Sequence, residues 1–443
     1  MICALVLISC GHMSAEKTDA RLEVTAEAEE LICSRFAFFS DTWAADAHAY
    51  ETHWPRRSEF ALEADPEARR DEWLRQLRRE IASLQDGHTA VFPDVLGSYP
   101  GIRLRWIAGY GVYVEAFHGG DELKPGDRVM AVTPADSTDD PVPRENWRRL
   151  FDQARRYVTA SSREAEKQFA ADFLIAAAVM DSDHAYIGFR IIREGGELTR
   201  FIEPRSRQED FPAVQQPYGR MLDWGSRTAA YIAVPTMAYL DDINRIDELI
   251  NAFLDADALI IDLRGNSGGN SAVSEFLIAR FALQQEFSFR IVCGVTGAHQ
   301  RTVGPPAPRG QQFDGPAAVL TDHEVFSAAH HFAALCRCVK QSGAREQPLV
   351  LVGGKTGGGS GISEAAALTE DLTLRYAASV FVDPEGMHAE RGIVPDIDVL
   401  SNITPDALRD HPVLRMLPAD AFDRRWRDDP FIAAALEFLG GLL

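Results

Sequence analysis

The sequence has 443 residues, more than one ordinary hydrophobic core organises, so two or three domains are expected. Hydrophobic residues make up 46% and charged residues 25%, the balance of a globular protein. Against 45 Lys and Arg stand 66 Asp and Glu, a formal charge of −21, which argues against nucleic acid or an anionic membrane surface as the main partner.

Residues 1–15 carry a short apolar run, MICALVLISC, that resembles a bacterial lipoprotein signal with Cys10 as the lipid anchor and an extracytoplasmic location. No Lys or Arg precedes the run. The other readings are a start at Met13, a cloning remnant at Gly11-His12-Met13, and a cytoplasmic protein. Residues 16–95 read as an N-terminal helical region. In DEWLRQLRREIASLQ, Trp73, Leu74, Leu77, Ile81 and Leu84 recur at helical spacing, and Gly87 suits a left-handed position after the helix. Residues 96–205 turn strand-like, in GIRLRWIAGYGVYVEAF, DRVMAVTP and HAYIGFRIIREGGELTRFIEP, around a charged helical insert at about 143–181. From 206 to 443, the strands TAAYIAVP, ALIIDL, AAVLTD and PLVLVGG alternate with helical stretches, which predicts an α/β unit with a largely buried sheet. The chain closes on an amphipathic helix in DDPFIAAALEFLGGLL. The six cysteines (Cys3, Cys10, Cys33, Cys293, Cys336, Cys338) form no Cys-x-x-Cys pair, and buried structural thiols are expected.

Two junctions could carry chemistry. In ALIIDLRGNSGGNSAV, Gly265, Gly268 and Gly269 let backbone N–H groups point out of a turn, for an oxyanion, a phosphate or simply a tight bend. The Lys-Ser/Thr pair that a phosphate loop needs after its glycines is absent. In EVFSAAHHF, Ser327 lies between a strand and a helix, as either a helix cap or a nucleophile. A nucleophilic serine needs a base. His323, His330 and His331 are near in sequence, but His330 points along the helix of Ser327, whereas His88 in LQDGHTAVFP follows a helix in a polar turn that can project into a cleft. Glu385, Glu390 and Asp396 could orient the imidazole, and Glu390 precedes a turn at the sheet's edge.

Together DGHT, DLRGNSGG, FSAA, GGKTGGGSG and ERGIVPD occur in the order and spacing of the C-terminal processing peptidases (tail-specific proteases) and their tricorn-core relatives. The resemblance implies a crotonase-like ββα-spiral catalytic domain and serine peptidase chemistry on peptides or unfolded proteins, with no metal or organic cofactor. Ser327 matches the family nucleophile. The lysine of the processing peptidases is replaced by Gly359, and Lys355 lies four residues early. An acidic position three residues after the nucleophile is His330 here. The tricorn-like branch instead implies Ser327, His88 and Glu390, with Ala328 and Gly268 or Gly269 as oxyanion donors. A Ser327–Lys355 dyad and a catalytically silent peptide-binding or apolar-ligand-binding relative are the alternatives. DELKPGDRVMAVTP resembles part of a PDZ domain, which implies capture of a peptide strand by the middle region; a purely structural β domain is the other reading.

Overall fold

The apolar runs of the C-terminal half become strands buried on both faces, as parallel sheet requires. Ala258–Asp262, Ala317–Thr321 and Leu349–Gly353 are buried at every position. A computed structural model describes residues 15–39, 55–92, 101–180, 184–203, 216–280, 289–293, 299–303, 310–343, 345–382, 388–410 and 414–442. The lipoprotein-like segment with Cys10 and the candidate Glu385 lie outside the described residues. Among the described residues, no helix is long and apolar enough to cross a membrane.

The N-terminal part holds α1 (Ala15–Arg35), α2 (Arg70–Ala82) and a short strand β1 (Ala90–Phe92). Next come β2 (Ile102–Ile107), β3 (Gly111–Phe117), β4 (Arg128–Ala135), α3 (Trp147–Arg155), α4 (Arg163–Asp172), α5 (Leu174–Val179), β5 (Tyr186–Arg193) and β6 (Gly196–Ile202). Then follow β7 (Tyr218–Trp224), β8 (Arg227–Ala233), α6 (Asp242–Ala252), β9 (Ala258–Asp262), α7 (Ser271–Ala279), β10 (Phe289–Cys293), β11 (His299–Val303), β12 (Ala317–Thr321) and α8 (Ser327–Ser342). The chain ends with β13 (Leu349–Gly353), β14 (Gly361–Ala367), β15 (Thr373–Val382), β16 (Ile397–Asp398), α9 (Pro405–Asp410), α10 (Ala419–Arg425) and α11 (Pro430–Leu442).

Three sheets result. Strands β16-β13-β12-β9-β8-β7 form one, parallel except for the β7–β8 hairpin. Its two faces are covered by separate apolar clusters. One includes Val273 and Leu277 of α7 with Phe332 and Leu335 of α8, and the other Phe431, Ile432 and Leu436 of α11. Strands β2 to β6 form an antiparallel sheet in chain order, with α3, α4 and α5 between β4 and β5. In the third sheet β15 pairs with β1, β10 and β14. β1 pairs antiparallel with β15, Ala90 opposite Arg375, although the two are far apart in sequence. That pairing ties the N-terminal region into the third sheet.

The helical reading of residues 16–95 holds only in part, because 55–69 form a short 3-10 turn and irregular chain and 90–92 form a strand. Helix α2 stops at Ala82, and the left-handed residue after it is Gln85 (φ 49°), not Gly87. Gly87 is needed for a different reason: a Cβ there would lie 2.7 Å from the ring of Phe326.

Candidate active site

The glycine turn after β9 is held from below by charge. Arg264 is fully buried, with its guanidinium on Asp262 at 2.6 Å and on Asp429 at 2.7 Å, and it lies over the ring of Phe431. Above this anchor, Asn266 fixes the turn: its Nδ2 donates to Val234 O at 2.8 Å, and its Oδ1 accepts from Gly268 N at 2.8 Å. Gly268 has φ +96°, and a Cβ on it would lie 2.7 Å from both Ala328 N and Ser327 Cβ. No other residue fits against the Ser327 loop there.

Opposite this turn, Asp322 gathers the chain leaving β12 by accepting from Glu324 N at 2.9 Å, Val325 N at 3.1 Å and Gly265 N. Phe326 N donates to Asn266 O at 3.1 Å, and Ser327 N to Gly358 O at 3.1 Å. Ser327 opens α8 with φ 51°, a left-handed conformation that costs a serine about 1–3 kcal/mol. Such strain marks a residue presented at a sharp strand-to-helix turn. The helix cap is Phe326 and receives no side-chain bond, so Ser327 is not acting as a cap.

The Ser327 hydroxyl points to a histidine from the other end of the chain. Its Oγ lies 3.0 Å from His88 Nε2. His88 is delivered by a braced turn. Asp86 accepts from His88 N at 3.2 Å and from the Thr89 hydroxyl, whose oxygen accepts from Ala377 N at 3.2 Å. Gly87 N donates to Ser161 Oγ at 2.9 Å, and Arg375 Nε to His88 O at 3.0 Å. Arg391 Nη1 holds Gln85 O at 2.9 Å and Ser161 O at 3.2 Å. The imidazole rests against Phe326, ring centres 4.6 Å apart. Burial pushes its pKa down to about 4, while Asp86 pulls the other way. The ring is therefore neutral near pH 7, as a general base must be.

Glu390 lies in the same pocket and is fully buried. Its Oε2 accepts from Ser360 N at 2.7 Å and from Ser360 Oγ at 3.1 Å. Burial first, and the neighbouring Asp86 carboxyl second, raise its pKa to about 8. The expected orienting contact from Glu390 to His88 is not made: His88 Nδ1 and Glu390 Oε1 are both buried without a hydrogen-bond partner.

The other sequence candidates fall elsewhere. Lys355 pairs with Glu164 at 3.2 Å, and a Cβ on Gly359 would lie 2.3 Å from Phe326, so the space a lysine at 359 would need is filled by that ring. His323 bonds Lys355 O at 2.8 Å, His330 bonds Thr356 Oγ1 at 2.8 Å, and His331 stacks on Phe381. Asp396 accepts from Leu351 N and pairs with Lys340. Of the two oxyanion glycines, Gly268 has its N–H committed to Asn266. The sequence reading passed over Phe326, Ser161 and Ser360, which no motif spacing marks, and gave Asp86 no role beyond its turn. In the middle region, the outer edge of β2 is occupied. Gln168 of α4 donates from Nε2 to Leu104 O at 3.0 Å and accepts at Oε1 from Trp106 N at 3.2 Å, the groups that strand addition there would use.

Residues 228–399 match the model of peptidase family S41. The chain carries an S41 serine peptidase domain. The match spans β8 to β16, and so includes Gly268, Gly269, Ser327, Ala328 and Glu390 but leaves His88 outside. A solved structure of mature CPAF is similar at a TM-score of 0.66 and 14% identity, over 90% of this chain and 97% of that one. Mature CPAF complexed with lactacystin gives a TM-score of 0.67 at 14% identity, over 95% and 99%. At that identity the likeness is one of fold, a mixed α/β architecture shared along nearly the whole chain. No curated protein matches the sequence. Peptides or proteins are the substrate class of an S41 peptidase.

Proposed function

We propose that this S41 peptidase cleaves peptide bonds through an acyl-enzyme on Ser327, with His88 as general base and Glu390 as the group that orients it. The observation that carries the reading is the 3.0 Å approach of Ser327 Oγ to His88 Nε2. It joins a strained serine at the opening of a helix to a neutral histidine delivered from the N-terminal region.

For Oγ to donate to Nε2, the ring proton must sit on Nδ1. As Oγ attacks the substrate carbonyl carbon, its proton passes to Nε2. The oxyanion is met by Ala328 N–H, which the helix pattern leaves over in the first turn, and by Gly269 N–H. His88 then gives the proton to the leaving nitrogen and the C–N bond breaks. A water molecule, deprotonated by the same Nε2, cleaves the acyl-enzyme and restores the serine. Glu390 Oε1 and His88 Nδ1 are among the buried polar atoms without a hydrogen-bond partner, and leaving both unsatisfied is costly. A small rotation that brings them together would complete the set and orient the ring.

In this reading residues 16–95 supply the base, 96–205 form a PDZ-like unit whose β2 edge is closed by Gln168, and 206–443 form a crotonase-like core. Labelling by a fluorophosphonate probe tests it. Loss of labelling in Ser327→Ala and His88→Ala, with labelling kept in Lys355→Ala, is the expected result. Labelling that survives His88→Ala but not Lys355→Ala would overturn it in favour of a lysine dyad.

A further inference from the structure

Outside the nucleophile and its partners, the described part of the molecule has a cavity of about 500 Å³ with a strong charge bias. It lies between the end of α2, the end of α3, the start of α4 and the loops at 355 and 391. Six cations line it: Arg79, Arg155, Arg156, Arg163, Lys355 and Arg391. Within the lining only Glu164 and Glu166 oppose them, an excess of 6 − 2 = 4 positive charges there in a chain whose overall charge is −21, while at the rim Arg79 also meets Glu80 at 3.0 Å and Arg155 meets Asp152 at 3.8 Å. Each acid already has a partner: Arg155 takes Glu166 with two bonds of 3.1 Å, and Lys355 takes Glu164 at 3.2 Å. An adjoining cavity of about 550 Å³ shares Arg79 and Arg156 and adds Arg149 against Asp152, extending the trough along α3.

The inner wall of this trough is continuous with the catalytic loops. Arg391 follows Glu390 and holds Gln85 O and Ser161 O, while Lys355 begins the glycine loop whose Gly358 O receives Ser327 N. We propose that the trough binds an acidic segment of the polypeptide substrate, and so selects substrates by negative charge close to the cleavage site. The proposal rests on the peptidase reading above. Concentrated cations in a concave, partly desolvated cleft focus the field outward, and guanidinium forks match carboxylates in geometry. No aromatic residue lines the main cavity, so a single-stranded nucleic acid would find no ring to stack on there.

The test is fluorescence anisotropy with a fluorescein-labelled octaglutamate peptide and the full-length protein at low salt. Fluorophosphonate labelling of the same wild-type preparation is measured in parallel. Binding should weaken about tenfold in Arg156→Glu/Arg163→Glu, both exposed positions, and also when salt rises from about 0.05 to about 0.3 M. The milder Arg156→Gln/Arg163→Gln serves if the charge reversal impairs folding, with a smaller loss of the same sign expected. No binding, binding unaffected by either double variant, or tighter binding of an oligothymidylate of equal length would each overturn the proposal. Labelled protein without peptide binding sinks this inference alone. Unlabelled protein removes the peptidase assignment on which it rests and overturns it as a substrate site.

Discussion

Replacing Glu390 by glutamine separates the charge of the buried carboxyl from its shape. The amide oxygen can still accept from Ser360 N and Oγ, so the packing is kept. In the folded protein the carboxyl is raised from 4.5 to about 8, chiefly by burial and then by Asp86. A rise of that size corresponds to about 5 kcal/mol. Because the folded pKa is the higher, this contribution is fully present below pH 4.5 and is lost as pH rises through about 8. Glutamine carries no such dependence. With about 2.1 cal/mol/K per residue, 443 residues give an unfolding entropy near 0.9 kcal/mol/K, so the effect amounts to about 5 °C. Calorimetry of both proteins at about pH 5 and about pH 8.5, which spans most of that range, should show the variant gaining about 4 °C on the wild type between the two. An equal gap at both pH values would mean that Glu390 is ionised throughout, and the reasoning about its burial would fail.

Three further outcomes are expected. Lys355→Ala should leave fluorophosphonate labelling rates within about twofold, since it removes only a partly exposed ion pair worth about 0.2–1 kcal/mol; a loss of labelling would refute the histidine-based mechanism. Ser327→Gly should be more stable than Ser327→Ala by about 1 kcal/mol in denaturant titrations, because glycine adopts φ 51° without strain; the reverse order would show that the left-handed conformation costs nothing. Arg264→Met strands two buried carboxylates and should destabilise the protein by about 3–5 kcal/mol, read as a fall in denaturation midpoint; a neutral result would mean that the ion triad is dispensable.

The buried parallel strands were readable because their apolar runs have no polar face to mislead, and α3, α4 and α5 fell inside the expected insert. Helix α2 was readable from its 3.6-residue period, but its end was not. The left-handed residue was assigned to Gly87 by type, whereas tertiary contacts place that conformation at Gln85 and reserve the glycine for contact with Phe326. The approach of His88 to Ser327 was proposed from motif order. The β1–β15 pairing that produces it depends on strand β15, which the sequence reading did not single out. The Glu390 contact failed because a motif gives a position along the chain, while the rotation of a buried carboxyl is decided by Ser360 and Asp86 around it.

The ring of Phe326 faces His88 on one side and fills the space beside Gly359 on another. A lysine at 359 and a phenylalanine at 326 therefore exclude each other. Under the proposed mechanism, passing from a histidine-activated serine to a lysine-activated one would require both positions to change together, since either substitution alone gives a clash or a hole beside Ser327. On this account the two ways of activating the serine are separated by a steric barrier of two residues, even though the glycine turn and the helix opening serve both.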